Sequence, residues 1–310
     1  MQLRAALGGL AAAAFSIMSA GSVFAQSAVL PDSDGTLGFG APAPGAIGFQ
    51  TAVTDIMSQI AWFEIFTLWF IVPITLFVLG LLIWVAVRYN AKSNPTPSRT
   101  SHNTVIEVLW TLGPIVILLA LAIPSFQLLS AQYDPPEDPA VTVKAVGYQW
   151  YWGYEYQTDE EIIFDSNMLS EDDAERERYG KLDRAEYPRL LAVDNEMVVP
   201  VNKVVRVLVT ADPEGVNHAF AVPAFGVKMD AIPGRNNEIW FKAEQEGLYY
   251  GQCSELCGAR HAFMSIAVRV VSEERYAQWL AAAADDLGAA NENLLASLAA
   301  DRDTLVANNN

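Results

Sequence analysis

Cysteine and histidine are scarce in this chain, with two and three copies in 310 residues. The cysteines, Cys253 and Cys257, are in C-x3-C spacing. A disulfide there would close a very small loop and stabilise little. The C-x-x-C-H pattern is absent, which excludes covalently attached haem and makes any haem donor a separate protein. Basic residues are also few, 19 Lys and Arg against 36 Asp and Glu, for a net charge of -17. That balance leaves no basic surface for nucleic acid. Such acidity rarely coexists with a 52% hydrophobic composition in one soluble domain. The sequence therefore divides into membrane segments and a charged, water-facing part.

Both cysteines fall in the stretch Cys253-Ser254-Glu255-Leu256-Cys257-Gly258-Ala259-Arg260-His261-Ala262-Phe263-Met264, with His218 upstream. Thiolate, imidazole and thioether are soft or borderline ligands, which together favour copper over magnesium or calcium. Two thiolates four residues apart can bridge two metal ions, and a bridged pair shares an electron with little rearrangement. From these residues alone two other readings stay open. One is a disulfide. The other is tetrahedral zinc on two Cys and two His, which would have no use for Met264.

The words around the loop carry a resemblance. Tyr249-Tyr250-Gly251-Gln252-Cys253-Ser254-Glu255-Leu256-Cys257-Gly258, Asp230-Ala231-Ile232-Pro233-Gly234-Arg235 and Gly147-Tyr148-Gln149-Trp150-Tyr151-Trp152 closely resemble subunit II of haem–copper cytochrome c oxidase, over about residues 48–282. The resemblance implies a dinuclear copper centre, called CuA. Cys253 and Cys257 would bridge the coppers, and His218 and His261 would each bind one. Met264 and the Glu255 carbonyl would be the weaker ligands. It also implies a magnesium or manganese ion on the Glu255 carboxylate, shared with subunit I; a carboxylate suits such a hard ion.

Residues 1–25 read as a signal peptide: Arg4, an apolar run from Ala5 to about Met18, then Val23-Phe24-Ala25 before a cleavage point at Gln26. A Gly-, Pro-, Ala- and Ser-rich arm follows. Ile65–Val87 and Val108–Leu129 are uncharged and long enough to cross a bilayer. Trp62, Trp84 and Trp110 lie near their ends, where aromatic rings favour the interface. The connecting loop carries Arg88, Lys92 and Arg99 and no acid, while the outer flanks are acidic. The positive-inside rule places that loop in the cytoplasm, and both termini and the copper loop in the periplasm.

Past Tyr133-Asp134-Pro135-Pro136, short β-prone runs at 141–152, 198–211, 238–242, 248–250 and 265–271 predict an all-β sandwich or barrel. The resemblance makes it a cupredoxin-like Greek-key barrel after a two-helix transmembrane hairpin, with the copper loop between the last two strands. Residues 170–188, dense in Asp, Glu and Arg, read as a solvated, partly helical insertion. A short helix is expected over 273–280. The expected divisions are signal peptide 1–25, periplasmic arm 26–60, first membrane helix 61–89, cytoplasmic loop 90–104, second helix 105–131, copper domain 132–282 and flexible tail 283–310.

The run Trp150-Tyr151-Trp152-Gly153-Tyr154-Glu155-Tyr156 alternates as a strand would, which puts most of its rings in a core. By resemblance Trp150 is where electrons from cytochrome c enter. Family members often carry His at the place of Tyr148. The resemblance also implies Glu155, Glu160, Glu161, Asp194 and Glu214 as docking acids for a basic cytochrome c surface. Gly215 stands where some relatives have an acid. Thr104-Val105-Ile106-Glu107 reads as a capping box. By resemblance Glu107 also marks the mouth of a proton-uptake path into subunit I, as an ionisable group at a membrane edge can. His102, on the cytoplasmic side, reads as a loop residue.

Together these readings imply the copper-bearing subunit of a bacterial aa3-type oxidase in the inner membrane. It would sit with subunits I and III and membrane lipid, and take electrons from cytochrome c. Subunit I would reduce oxygen to water and pump protons. A quinol oxidase subunit would lack the copper ligands. A nitrous oxide reductase domain would lack two membrane helices ahead of the barrel. A membrane-tethered copper-delivery protein would need neither Trp150 nor docking acids.

Overall fold

A computed structural model describes residues 40–43 and 45–308. The expected signal peptide, and arm residues 26–39 and 44, lie outside the described residues. The described residues form two compact units, one of residues 58–134 and one of the other described residues.

The first unit holds most of α1 (Asp55–Arg88) and all of α2 (Thr104–Tyr133), 34 and 30 residues long. About 20 residues suffice to cross a bilayer. Their side chains are apolar all round, with Leu76, Phe77, Leu118 and Leu119 all exposed. Such surfaces need lipid or partner helices. Pro73, Pro114 and Pro124 sit inside the helices. Asn103, one residue before the expected cap, accepts from Val105 N and Ile106 N at 3.1 and 3.3 Å. The Glu107 carboxylate accepts from Asn103 N at 3.1 Å, closing a reciprocal cap.

Among the described residues, the second unit is a β domain of ten strands: β1 (Val141–Tyr148), β2 (Tyr151–Tyr156), β3 (Ile162–Ser166), β4 (Met197–Pro200), β5 (Val204–Ala211), β6 (His218–Val222), β7 (Val227–Ala231), β8 (Asn237–Lys242), β9 (Gly247–Gln252) and β10 (Ser265–Val271). They form a five-stranded sheet ordered β3-β2-β1-β5-β8, a three-stranded sheet β4-β10-β9 and the hairpin β6-β7. The pairs β1·β5 and β4·β10 are parallel. Residues from all three, including Trp152, Val207, Phe220, Met197 and Ile266, share one apolar core. This is the expected cupredoxin-like barrel.

Two β-prone runs are each divided in the fold. Residues 141–152 turn at Gln149-Trp150, so Trp150 lies in the β1–β2 turn rather than on a strand; the sequence carries no Gly, Pro or Asn there to mark it. Residues 198–211 split into β4 and β5 on different sheets around Asn202, whose φ of 58° is a left-handed value that Asn tolerates.

Three other segments pack closely on the barrel. Residues 40–54 dock on it: Tyr250 N donates to Gly40 O at 3.0 Å and Thr54 Oγ1 to Phe225 O at 2.8 Å. The insertion contains α3 (Asp173–Arg178) and is not a simply solvated run, because Arg176, Lys181, Glu186 and Tyr187 are buried. Arg269 on β10 reaches Glu186 at 3.5 Å and the Tyr187 hydroxyl at 3.0 Å, and also pairs with Glu196; Lys181 meets Glu196 at 2.8 Å. Charge here is drawn inward because it is paired. The C-terminal segment, expected to be mobile, forms α5 (Leu287–Asn308) against α4 (Glu273–Ala283). Ala290 and Leu294 are buried, and Trp279 Nε1 donates to Asn291 at 2.9 Å. Its alanine-rich composition, read as loose, is a helix former with an apolar face.

Candidate metal centre

His218 opens β6 and pairs in register with Ala231 of the Asp230–Arg235 word. The remaining candidates occupy the β9–β10 connection. The topology thus brings a strand residue and a loop together at one end of the barrel.

The donor atoms converge. Cys253 Sγ lies 3.8 Å from Cys257 Sγ, 3.8 Å from His218 Nδ1 and 3.3 Å from the Glu255 carbonyl. Cys257 Sγ lies 3.5 Å from His261 Nδ1 and 3.6 Å from Met264 Sδ. Both cysteines are free thiols and buried, as are His218 and Met264. The donor set fits a metal. Two thiolates about 2.3 Å from one ion at a near-tetrahedral angle stand about 3.8 Å apart, which is the separation found. Met264 turns a thioether inward, which zinc does not require.

The pocket's electrostatics point the same way. Burial, and next the neighbouring Cys253 thiol, push the Cys257 thiol up to about 12. Burial, then His261, lowers the His218 pKa, which disfavours the charged imidazolium. Bringing thiolates into this pocket calls for a cation, and metal binding would expel the thiol protons.

Surrounding residues hold the candidate ligands in place. The Trp152 ring meets His218 edge-on at 6.1 Å. A Cβ on Gly147 would meet the His218 ring at 2.9 Å, so only glycine lets β1 pass it. Trp150 Nε1 donates to the Cys257 carbonyl at 3.0 Å. Gly258, at a φ of 120°, lies beneath the Trp150 ring, where a Cβ would stand 3.0 Å away. Sequence reasoning missed Gly147 and Trp152 as supports of the histidine. The Gly147-Tyr148-Gln149-Trp150-Tyr151-Trp152 word contained both.

The other candidate residues are dispersed. Glu160 and Glu161 are exposed in the β2–β3 connection, and Glu214 is exposed in the turn after β5. Glu155 pairs with Lys144 at 2.9 Å. Asp194 accepts from Asn167 N and Asn195 N, both at 2.7 Å, and is engaged in shaping the insertion. Glu255 has its side chain exposed. Glu107 lies in the helical unit, and His102 is an exposed loop residue.

Two membrane-length helices followed by a β barrel with a buried sulfur and imidazole cluster define a membrane-anchored protein of cupredoxin-like fold. Residues 141–271 match the cytochrome c oxidase subunit II periplasmic domain family, and residues 42–128 its transmembrane domain family. The "Cytochrome c oxidase subunit 2" of Cereibacter sphaeroides is 49% identical over 250 residues, 78% of this chain and 81% of that protein. The "Probable cytochrome c oxidase subunit 2" of Rickettsia bellii is 46% identical over 240 residues, 77% of this chain and 85% of that protein. A solved periplasmic domain of subunit II of cytochrome oxidase from Bradyrhizobium japonicum is 52% identical, covering 49% of this chain and 98% of that one with a TM-score of 0.42. The chain belongs to the cytochrome c oxidase subunit II family.

Proposed function

We propose that this chain is the electron-accepting subunit of a bacterial cytochrome c oxidase and holds a dinuclear copper centre. Cys253 and Cys257 would bridge the pair, His218 and His261 would each bind one copper, and Met264 and the Glu255 carbonyl would be weaker ligands. Copper bound there supplies one-electron storage with little rearrangement. The observation that carries this reading is the convergence of all six donors, at 3.3 to 3.8 Å from a cysteine sulfur. A site built that way spends little reorganisation on each electron.

On this reading Trp150 meets cytochrome c at the surface, and its indole hydrogen bond to Cys257 O leads from that surface to a ligand backbone. Glu155, Glu160, Glu161, Asp194 and Glu214 would be the acids that steer a basic donor. Electrons would pass on to haem in subunit I, which carries the oxygen chemistry and proton pumping. The Glu255 carboxylate would share magnesium or manganese with subunit I, and Glu107 would stand at a proton-uptake mouth of that partner. The complex, with subunit III and lipid, would lie in the inner membrane with the β domain in the periplasm, as the basic α1–α2 loop favours.

The test uses the full chain in detergent, loaded with copper. Two coppers per chain sharing one unpaired electron in the paramagnetic resonance spectrum is the expected result. One ordinary copper per chain, or a Cys253–Cys257 disulfide with no metal, would overturn the reading.

A further inference from the structure

The insertion that caps the barrel meets both stems of the metal-ligand loop at the Leu190 carbonyl. Gln252, the last residue before Cys253, and Ser265, the first after Met264, are register partners across β9 and β10. Both side chains donate to the same acceptor, the carbonyl oxygen of Leu190, with Ser265 Oγ at 2.5 Å and Gln252 Nε2 at 3.4 Å. Ser265 is 1% exposed, so no solvent can replace its partner.

Leu190 is itself firmly held. Its φ of 65° places it in the left-handed region. The turn around it is closed by Leu191 N and Ala192 N donating to Pro188 O at 3.2 and 3.1 Å. The segment before it is tied to the sheet below, since Tyr250 Oη donates to Glu186 O at 2.6 Å and Arg269 reaches Glu186 and Tyr187. A stiff acceptor thus spans the mouth of the loop, anchored to the same two strands that feed it.

We propose that the Leu190 carbonyl, through Ser265 and Gln252, is a positioning group that fixes the separation of the loop's two stems and thereby the placement of Met264. Met264 is covalently next to Ser265, and its backbone carbonyl accepts from Cys253 N at 3.3 Å. A shift of the β10 stem therefore moves the thioether relative to Cys257 Sγ. A weakly held axial ligand is the donor through which a protein tunes a copper potential. The inference rests on the copper reading above and assigns the insertion a part in it.

The experiment compares wild type, Ser265→Ala and Ser265→Thr as full chains in detergent. Three quantities are measured: the midpoint potential of the copper-loaded chain, copper release to a chelator, and alkylation of Cys253 and Cys257 in the copper-free chain. The expectation for Ser265→Ala is a displaced potential. Copper release and thiol alkylation should each run roughly fivefold faster, as the loss of one buried hydrogen bond implies. Ser265→Thr, which keeps the hydroxyl, should restore all of these. If Ser265→Ala does not fold, Gln252→Leu reports on the same acceptor from the exposed side, with a smaller displacement in the same sense. Potential, release and alkylation at wild-type values in the folded variant would overturn the proposal. A wild-type chain that binds no copper pair would overturn the copper reading instead, and the alkylation rates would still decide whether the clamp exists.

Discussion

Replacing Glu196 with Gln removes one charge from the buried network and keeps its volume. Glu196 is 6% exposed, 2.8 Å from Lys181 and paired with Arg269. Burial raises its pKa, but Arg269 and Lys181 together outweigh burial and hold the carboxyl at about 2, below the ordinary 4.5. A carboxyl depressed by that much contributes ~3 kcal/mol to stability at neutral pH. The sign follows from the depressed folded value. The contribution is complete above pH 4.5 and is lost as pH falls toward 2. Glu196→Gln should therefore cost ~3 kcal/mol at pH 7, in keeping with the penalty for stranding one partner of a buried pair. The gap should narrow to about 1 kcal/mol near pH 3. The assay is chemical denaturation of the full chain in detergent, followed by near-ultraviolet circular dichroism of the β domain at several pH values. Equal stability of the two proteins at pH 7, or a gap that widens as the solution is acidified, would refute this account of the network.

Three further outcomes are expected. Trp150→Ala removes an aromatic anchor worth about 2 kcal/mol at a protein contact, so KM for cytochrome c should rise roughly thirtyfold; an unchanged KM and turnover would remove Trp150 from the donor path. Glu160→Lys with Glu161→Lys should slow turnover with cytochrome c by roughly tenfold at low salt and far less at high salt, and a salt-independent defect would place these acids off the docking face. Glu107→Ala should slow steady-state oxygen consumption by the assembled oxidase with copper spectra intact; normal turnover would leave Glu107 only the helix cap it makes with Asn103.

How far the sequence was legible varied with the range of the signal. The membrane helices were legible because a long uncharged run has few other uses, though α1 begins at Asp55, ahead of the apolar stretch. The loop cysteines, His261 and Met264 could be grouped by spacing alone. His218, on a distant hairpin, could be joined to them only by resemblance, because no local pattern links β6 to the β9–β10 loop. The insertion was the least legible region. Asp, Glu and Arg in a run resemble a solvated surface until Arg269, far along the chain, is seen to supply the partner that buries them. The Leu190 contact was invisible for a different reason, since its acceptor is a backbone carbonyl that no side-chain pattern encodes.

The placement of His218 on one hairpin and the other ligands on another has a consequence for biogenesis. A ribosome or translocon delivers β6 well before the loop that completes the cluster, and the two halves meet only when β9 pairs with β10 over a finished core. On the copper reading, the full ligand set would be assembled only late in the life of this polypeptide, in the compartment where the barrel closes.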